Sequence, residues 1–280
     1  MLPEFTVHWF PGHMQKAKRE MKENLSLVDL IIEVRDARAP LASANPALVT
    51  FGEHKERIVI LNKADLADQD VLKIWQSNFP EFMIFSGKSR QDVNRLKREL
   101  DLYGQKIKDD WQARRKGLRP FRSIVLGMPN VGKSTIINAL SNSSKAKTGQ
   151  KPGVTRGKQW ITLSNGWQLL DTPGVMMPEE IKGESGLFLA LINAIDEKLY
   201  DHELAALHFV QWLMDNEPMV LEDRYKIKLL DDPYQNLIEI GKKRGCLRSG
   251  GRVDTSQAAL ILLKDFRDGG LGRLSLERPE

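Results

Sequence analysis

Residues 127–134 have side chains and a spacing that can hold phosphate groups. The segment reads G-M-P-N-V-G-K-S and fits the pattern G-x-x-x-x-G-K-[ST] in full. In this pattern the glycines let backbone N–H groups curl around phosphate oxygens, and the helix that follows adds the positive end of its dipole. Lys133 would contact the β and γ phosphates, and the Ser134 hydroxyl would bind Mg²⁺. The predicted phosphate-binding residues are Asn130, Val131, Gly132, Lys133, Ser134 and Thr135.

A second segment, D-T-P-G beginning at Asp171, has the residues expected beside the third phosphate. The Asp171 carboxylate would hold Mg²⁺ through a water molecule, and the Gly174 N–H would contact the γ phosphate. Between the two motifs, Thr155 is the candidate that closes on Mg²⁺ when the third phosphate is present. Thr148 and Thr162 are the competing candidates for that role.

The tetrapeptide N-K-A-D at 62–65 has the composition of a guanine-binding motif. The Asp65 carboxylate would accept hydrogen bonds from the ring N–H and the exocyclic amine of guanine, a donor pair that adenine does not present. The stem of Lys63 can lie along the base. The tripeptide S-G-K at 86–88 resembles the element whose backbone N–H contacts the guanine carbonyl. The predicted base-binding residues are Asn62, Lys63, Asp65, Ser86, Gly87 and Lys88.

All of these segments stand at the ends of predicted secondary-structure elements. Short apolar runs typical of buried strands cover 28–34, 57–61, 82–85, 123–126, 159–163 and 167–170, the last two joined around the turn dipeptide Asn165-Gly166. Helical patterns cover 92–116, 135–140, 187–195, 203–214, 235–243 and 256–266. Strands that alternate with helices predict an α/β fold with a mostly parallel sheet and helices on both faces.

The order of the motifs is unusual. The base motif precedes the phosphate loop by about 65 residues, whereas most GTPases have the phosphate loop first. Adjacent strand ends can lie close together in a sheet, so a domain can be cut at a new point without changing its geometry. We therefore expect a circularly permuted P-loop GTPase domain at 1–178. The strand signal stops there, which predicts a smaller all-α domain at 179–280.

This permuted order, with W-F-P-G-H-M at 9–14, resembles the bacterial ribosome-biogenesis GTPase A family. The stretches V-R-D-A-R-A-P at 34–40 and G-K-K-R-G-C-L at 241–247 resemble it too, so the likeness covers nearly the whole chain. It implies GTP hydrolysis during late maturation of the large ribosomal subunit, stimulation of that hydrolysis by the particle, and contact of the C-terminal domain with rRNA.

The position after the D-x-x-G motif, which in many GTPases holds the residue that orients the attacking water, has no suitable side chain here. Many GTPases use a Gln two residues after the D-x-x-G motif, but here Val175 and Met176 follow Gly174. The resemblance implies that His13 takes this role beside Lys133 and Gly174, and a neutral imidazole can accept a proton from water near pH 7. His8 is an alternative, and packing or RNA contact is the alternative role for His13.

Asn130 is a candidate K⁺ ligand, because an Asn at this loop position helps to coordinate K⁺ in several GTPases. Such an ion would supply positive charge near the bridging oxygens of the phosphates. The alternative is that Asn130 only stabilises the turn.

Charge along the chain indicates a polyanionic partner. The net charge is +5, and residues 145–158 hold five basic residues and no acids, whereas 177–235 hold thirteen acids and five basic residues. Near the C-terminus, five basic residues with glycines between them suit phosphate contacts. The candidate RNA-binding residues are Lys242, Lys243, Arg244, Arg248 and Arg252. For 242–244, a solvated helix end capped by Gly245 is the alternative.

Several other classes of protein are excluded or disfavoured. The single cysteine, Cys246, rules out an internal disulfide or a Cys-rich zinc site. No apolar run approaches the roughly 18 residues of a membrane span, and no leader pattern is present, so we expect a cytoplasmic protein that does not bind membranes. We also expect it to be a monomer when free. A P-loop metabolic kinase would not need Asn62 and Asp65. A GTP-gated RNA-binding protein of another pathway, with incidental turnover, remains an alternative.

Overall fold

The computed structural model describes residues 2–7, 14–45, 48, 55–113, 119–141, 159–163, 165–171 and 183–279. Within these ranges, six strands form one sheet. They are β1 (Leu30–Asp36), β2 (Glu56–Asn62), β3 (Phe82–Ile84), β4 (Arg122–Gly127), β5 (Gln159–Thr162) and β6 (Gln168–Asp171). The order across the sheet is β3-β2-β1-β4-β6-β5. All neighbours are parallel except β5 and β6, which form the predicted antiparallel pair. The prediction of a mostly parallel sheet is confirmed.

Strand β1 differs from its prediction, which ended the strand at Val34. The strand continues to Asp36, because Arg35 pairs in register with Leu61 and Asp36 with Asn62. Asp36 therefore stands directly beside the predicted base-binding motif.

Helices cover both faces of the sheet, and the strands alternate their side chains between the two. On one face, Ile32 and Val125 pack with helices α3 (Arg90–Ala113) and α4 (Lys133–Ser141). On the other face, Ile31 and Ile124 pack with α1 (Met14–Ser26), and Val59 packs with α2 (Gln69–Asn78). This alternation is the expected pattern for strands buried on both sides. Helices α1 and α2 were not predicted.

Between residues 183 and 279, five α-helices follow the sheet: α5 (Glu184–Leu191), α6 (His202–Asn216), α7 (Pro218–Tyr225), α8 (Pro233–Lys243) and α9 (Thr255–Asp268). The sequence predicted all of these except α7. The buried apolar residues of this helical region continue into those of the sheet domain as one cluster. Within the ranges given above, no helix is long and apolar enough to span a membrane.

The predicted helix at 187–195 is wrong at both ends. Helix α5 begins at Glu184 and ends at Leu191, and Asn193 has a φ of 63°. Asn is one of the few residues that adopt this left-handed conformation readily, and it commonly ends a helix in this way. The carbonyl of Asn193 is thereby available to another part of the chain.

Candidate functional site

The phosphate loop lies between β4 and α4, as the sequence predicted. Gly132 adopts a φ of 98°, a conformation that favours glycine. A methyl group at this position would also collide with the side-chain amide of Asn62. Gly132 is therefore required both for its backbone conformation and for the close approach of the base motif.

Lys133 is the first residue of α4, and its side chain turns back into the loop. Its ammonium group donates hydrogen bonds to the carbonyl oxygens of Gly127 at 3.1 Å and Met128 at 2.7 Å. The residue is only 9% exposed. The positive charge is thus held inside the concave loop, where an anion would be bound.

Asn62 joins the base motif to the phosphate loop. Its side-chain N–H donates to the backbone carbonyl of Val131 at 2.8 Å, and the residue is buried. The two segments are 69 residues apart in the sequence. Their contact is the geometry that the permuted order requires.

The Asp65 carboxylate is hydrogen-bonded to the side chains of two other predicted base-binding residues. One carboxylate oxygen accepts from Ser86 Oγ at 2.9 Å, and the other accepts from Lys88 Nζ at 2.7 Å. Burial disfavours the ionised form, but the hydrogen bonds from Lys88 and Ser86 outweigh it and hold the pKa of Asp65 below its usual range. Asp65 is therefore an ionised acceptor at neutral pH, as guanine recognition requires.

Gly87 lies against the first turn of α4. A methyl group at Gly87 would collide with the methyl group of Thr135. This contact explains why glycine stands between Ser86 and Lys88, and it brings the second base-binding loop onto the phosphate-binding helix.

Lys63 follows Asn62 and has a φ of 63°. Its ammonium group lies 2.9 Å from a carboxylate oxygen of Asp36, and its side chain is 24% exposed. Burial lowers the pKa of Lys63, an effect that the neighbouring Asp36 carboxylate partly offsets. The charged end of this side chain is anchored in the protein, so the stem has a defined position beside Asp65.

The residues predicted to hold Mg²⁺ are only partly described. Ser134 lies half-buried in the first turn of α4. Asp171 is the last residue of β6 and pairs with Val125 of β4, two residues before the phosphate loop begins. Serine and aspartate carry the oxygen ligands that Mg²⁺ prefers.

The competing candidate Thr162 is excluded. It pairs with Gln168, whereas Gln159 pairs with Asp171. Thr162 therefore lies three residues away along the hairpin, about 10 Å from the end that faces the phosphate loop. Thr155, Thr148, Gly174, His13 and His8 lie outside the described residues.

Asn130 adopts the left-handed backbone conformation, with a φ of 58°, and its side chain contacts a residue outside the phosphate loop. The side-chain N–H donates to the carbonyl of Asn193 at 2.7 Å. The candidate K⁺ ligand thus contacts the residue that ends α5 in the helical region.

The basic C-terminal residues occupy different environments. Arg244 pairs with Asp265 at 2.9 Å and stacks over the Tyr225 ring at 5.0 Å. Arg248 pairs with Asp254 at 2.8 Å. The charges of these two guanidinium groups therefore already have acidic partners.

The remaining basic side chains are more available. Lys242 and Lys243 end α8, and the only partner of Lys242 in the described chain is Glu239, one turn earlier at 2.6 Å. Leu247 and Val253 form an antiparallel bridge that supports a turn carrying Arg252. Both Lys243 and Arg252 are exposed and have no acidic partner among the residues that the structure describes. We call Lys242, Lys243 and Arg252 the basic turn.

Asp36 contacts Lys63 of the base motif, and Arg38 contacts Asp36. Neither residue was predicted from the sequence, although both lie in the V-R-D-A-R-A-P stretch. Arg38 donates two hydrogen bonds to the Asp36 carboxylate, each 2.9 Å long, and both side chains are fully buried. Burial alone would raise the pKa of Asp36, but the charges of Arg38 and Lys63 outweigh it and hold the pKa well below its usual range. The available signal was the tetrapeptide R-D-A-R at 35–38, which places three charged residues at the end of an apolar strand.

The chain matches two family models. The model described as 50S ribosome-binding GTPase matches residues 122–240, and the RsgA GTPase model matches residues 13–180. The permutation explains why the two matches overlap and start at different points, because one begins at the phosphate-loop strand and the other before the base motif.

Similar proteins span nearly the whole chain. The ribosome biogenesis GTPase A of Bacillus licheniformis is 38% identical over 98% of this chain and 99% of its own length, and that of Thermotoga maritima is 33% identical over 98% and 95%. The crystal structure of GNP-bound YlqF from Thermotoga maritima matches with a TM-score of 0.68 and 28% identity, over 95% of this chain and 99% of the other. The GDP-bound structure of YlqF matches with a TM-score of 0.65 and 27% identity, over 93% and 99%. The chain therefore belongs to the ribosome biogenesis GTPase A family and is a circularly permuted P-loop GTPase.

Proposed function

We propose that this protein is a GTP-hydrolysing assembly factor that binds a precursor of the large ribosomal subunit through its rRNA. The observation that carries the proposal is the hydrogen bond between Asn62 and the carbonyl of Val131, which joins the base motif to the phosphate loop. The names of the relatives supply the biological context, because they are ribosome biogenesis GTPases.

The proposed substrate is GTP, held at both ends. At the base, Asp65 accepts from the two guanine donors and the stem of Lys63 lies along the ring. At the phosphates, Lys133 exchanges its two loop carbonyls for phosphate oxygens, which costs little because the ammonium is already positioned there. The Ser134 hydroxyl and the Asp171 carboxylate would hold Mg²⁺, which when bound neutralises charge on the β and γ phosphates.

We assign the water-positioning role to His13. The reason is chemical: Val175 and Met176 offer no hydrogen bond to water, and the family resemblance points to the histidine of W-F-P-G-H-M. A positioned base of this kind contributes about 10²–10⁴-fold to the rate. We assign K⁺ binding to the Asn130 side chain, whose amide oxygen would be the ligand because its N–H donates to the carbonyl of Asn193.

We assign rRNA contact to the basic turn. Lys243 and Arg252 support this assignment because their charges are exposed and unpaired within the described chain. Arg244 and Arg248, also candidates, are held by acidic partners, so they would contribute mainly by keeping the turn in place. Exposed cations are those that release counterions when they meet phosphates.

Co-sedimentation with purified large ribosomal subunits tests this function. We expect the protein to sediment with large subunits when it holds a non-hydrolysable GTP analogue and to remain in the supernatant with GDP. The double variant Lys243→Ala, Arg252→Ala should lose this binding. The matched control is Lys73→Ala, Lys106→Ala, which removes two exposed lysines of the GTPase domain. Equal sedimentation with any RNA of similar length would favour the alternative, a GTP-gated RNA-binding protein of another pathway.

A further inference from the structure

Asp36 is a buried junction between the base-binding motif and the rest of the protein. Its carboxylate holds Lys63 at 2.9 Å on one side and the guanidinium of Arg38 in a two-point contact on the other. The backbone joins the same two segments, because the Ala37 N–H donates to the carbonyl of Asn62 at 2.7 Å. A displacement of Asp36 would therefore move the Lys63 stem.

Arg38 connects this junction to the end of α9. Its third nitrogen donates to the carbonyl of Phe266 at 3.1 Å, and the guanidinium stacks over the Phe266 ring at 4.7 Å. The two residues are 228 positions apart in the sequence. One side chain thus binds both the carboxylate that anchors Lys63 and the last turn of the final helix.

The chain after α9 returns to the same loops. The Leu274 N–H donates to the carbonyl of Leu66 at 3.1 Å, and the Leu276 N–H donates to the carbonyl of Arg38 at 2.8 Å. The Asp68 N–H donates to Ser275 Oγ at 3.2 Å. We call residues 274–277 the C-terminal strap. It contacts the loop that follows Asp65 and the loop that follows Asp36.

The last residue of the strap closes the second loop. The two carboxylate oxygens of Glu277 accept from the N–H groups of Leu41 at 2.6 Å and Ala42 at 2.8 Å. Burial raises the pKa of Glu277, although these two hydrogen bonds oppose the rise. The strap therefore fixes the loop after Arg38 with a side chain as well as with its backbone.

Stability alone is a poor explanation for this arrangement. Replacing buried ion pairs by apolar residues of similar volume is often neutral or stabilising. The buried charges of Asp36, Arg38 and Lys63 are therefore better explained by a need to fix the geometry of this region than by a need for stability. Of the three side chains, only that of Lys63, a predicted base-binding residue, reaches solvent.

We propose that Asp36, Arg38 and the C-terminal strap are positioning elements for the base-binding loop, so that guanine nucleotide affinity depends on the end of the helical region. The inference rests on the proposed assignment of Lys63 and Asp65 to the base site. It extends that assignment to residues that do not contact the nucleotide. By linkage, nucleotide binding should in turn stabilise the strap.

Amide hydrogen exchange of the wild-type protein with and without GDP tests the linkage. We expect GDP to slow exchange of the Leu274 and Leu276 amides by about tenfold or more, together with the base loop at 62–68. The Asp29 amide, which bonds to Arg122 at the opposite end of β1, is the control and should change less. Protection of the base loop without the strap would overturn this inference and leave the base site intact. Protection of neither would overturn both.

Arg38→Met tests the positioning role through affinity. We expect the Kd for GDP to rise about tenfold, as expected for disturbing one charge-assisted contact, while the single-turnover rate at saturating GTP changes less than about twofold. Arg119→Met is the matched control, because Arg119 makes a two-point contact with Asp29 and stacks over Trp111 at 4.6 Å, at the far end of the same strand. Equal effects of the two variants on the Kd, or none from Arg38→Met, would overturn the proposal.

Discussion

Replacing Asp65 by Asn changes the chemistry of the base site while keeping its shape. The carboxylate offers two acceptor oxygens, whereas the amide offers one acceptor and one donor. The ring N–H and the exocyclic amine of guanine are both donors. In the variant, one hydrogen bond to guanine is lost and a donor faces a donor, so we expect guanine nucleotides to bind much more weakly.

The size of the effect follows from the contacts of Asp65. Hydrogen bonds to charged groups contribute about 1.5–3 kcal/mol each. Loss of one such bond gives about 1.5–3 kcal/mol, or roughly 10–10²-fold in the Kd for GDP, and the remaining bond also loses its charged acceptor. The fold should hardly change, because Lys88 is 81% exposed and a surface ion pair contributes at most about 1 kcal/mol. Weak binding would therefore report on the base contact alone.

Isothermal titration calorimetry with GDP and with XDP measures the two affinities directly. Xanthine carries a carbonyl where guanine carries the exocyclic amine. The amide introduced by Asp65→Asn could donate to that carbonyl, so XDP should bind the variant better than GDP. Asp70→Asn is the control, because Asp70 is an exposed acid that, like Asp65, pairs with a lysine, at 2.8 Å from Lys73. An unchanged GDP affinity in Asp65→Asn would refute the assignment of this carboxylate to the base.

Three other predictions concern catalysis, stability and RNA. His13→Ala should slow particle-stimulated hydrolysis by about 10²-fold in single-turnover assays with little change in GTP affinity, and a normal rate would end its catalytic assignment. Asp36→Asn should lower the free energy of unfolding at pH 7 by about 3–5 kcal/mol. Because the folded-state pKa of Asp36 is lowered, its contribution to stability is present above about pH 4 and is lost as the pH falls. Denaturant titrations at several pH values should therefore show that the free energy of unfolding falls less steeply with acidification in the variant than in the wild type. An equally steep fall would contradict this. Lys243→Ala with Arg252→Ala should flatten the log–log salt dependence of particle binding by roughly one and a half to two units, and an unchanged slope would move the RNA contact elsewhere.

The sequence predicted the sheet and the phosphate loop because their signals are local. An apolar run followed by the G-x-x-x-x-G-K-S pattern defines strand, turn and helix within about fifteen residues, and β4, the loop and α4 form there. The convergence of Asn62 on the phosphate loop was also predictable, because parallel strand ends meet at one edge of the sheet.

Contacts between distant segments were not predictable from local signals. Arg38 bonds to the carbonyl of Phe266, and Asn130 bonds to that of Asn193, through backbone atoms that carry no residue identity. Arg244 was predicted to bind RNA because it lies in a basic stretch of the sequence. Its partner Asp265, 21 residues later, could not be recognised from that stretch. Helix α1 was missed because its residues are largely polar and its contacts with the sheet involve few side chains, such as Met21 and Leu25.

Single-turnover GTP hydrolysis with and without purified large ribosomal subunits tests the central claim most directly. We expect the wild-type protein to hydrolyse GTP slowly alone and at least about tenfold faster with saturating large subunits, with small subunits as the control for non-specific RNA. The stimulation should disappear in Lys243→Ala, Arg252→Ala at subunit concentrations that saturate the wild type. Equal rates with large subunits, small subunits and no particle would contradict the claim that this GTPase acts on the large ribosomal subunit.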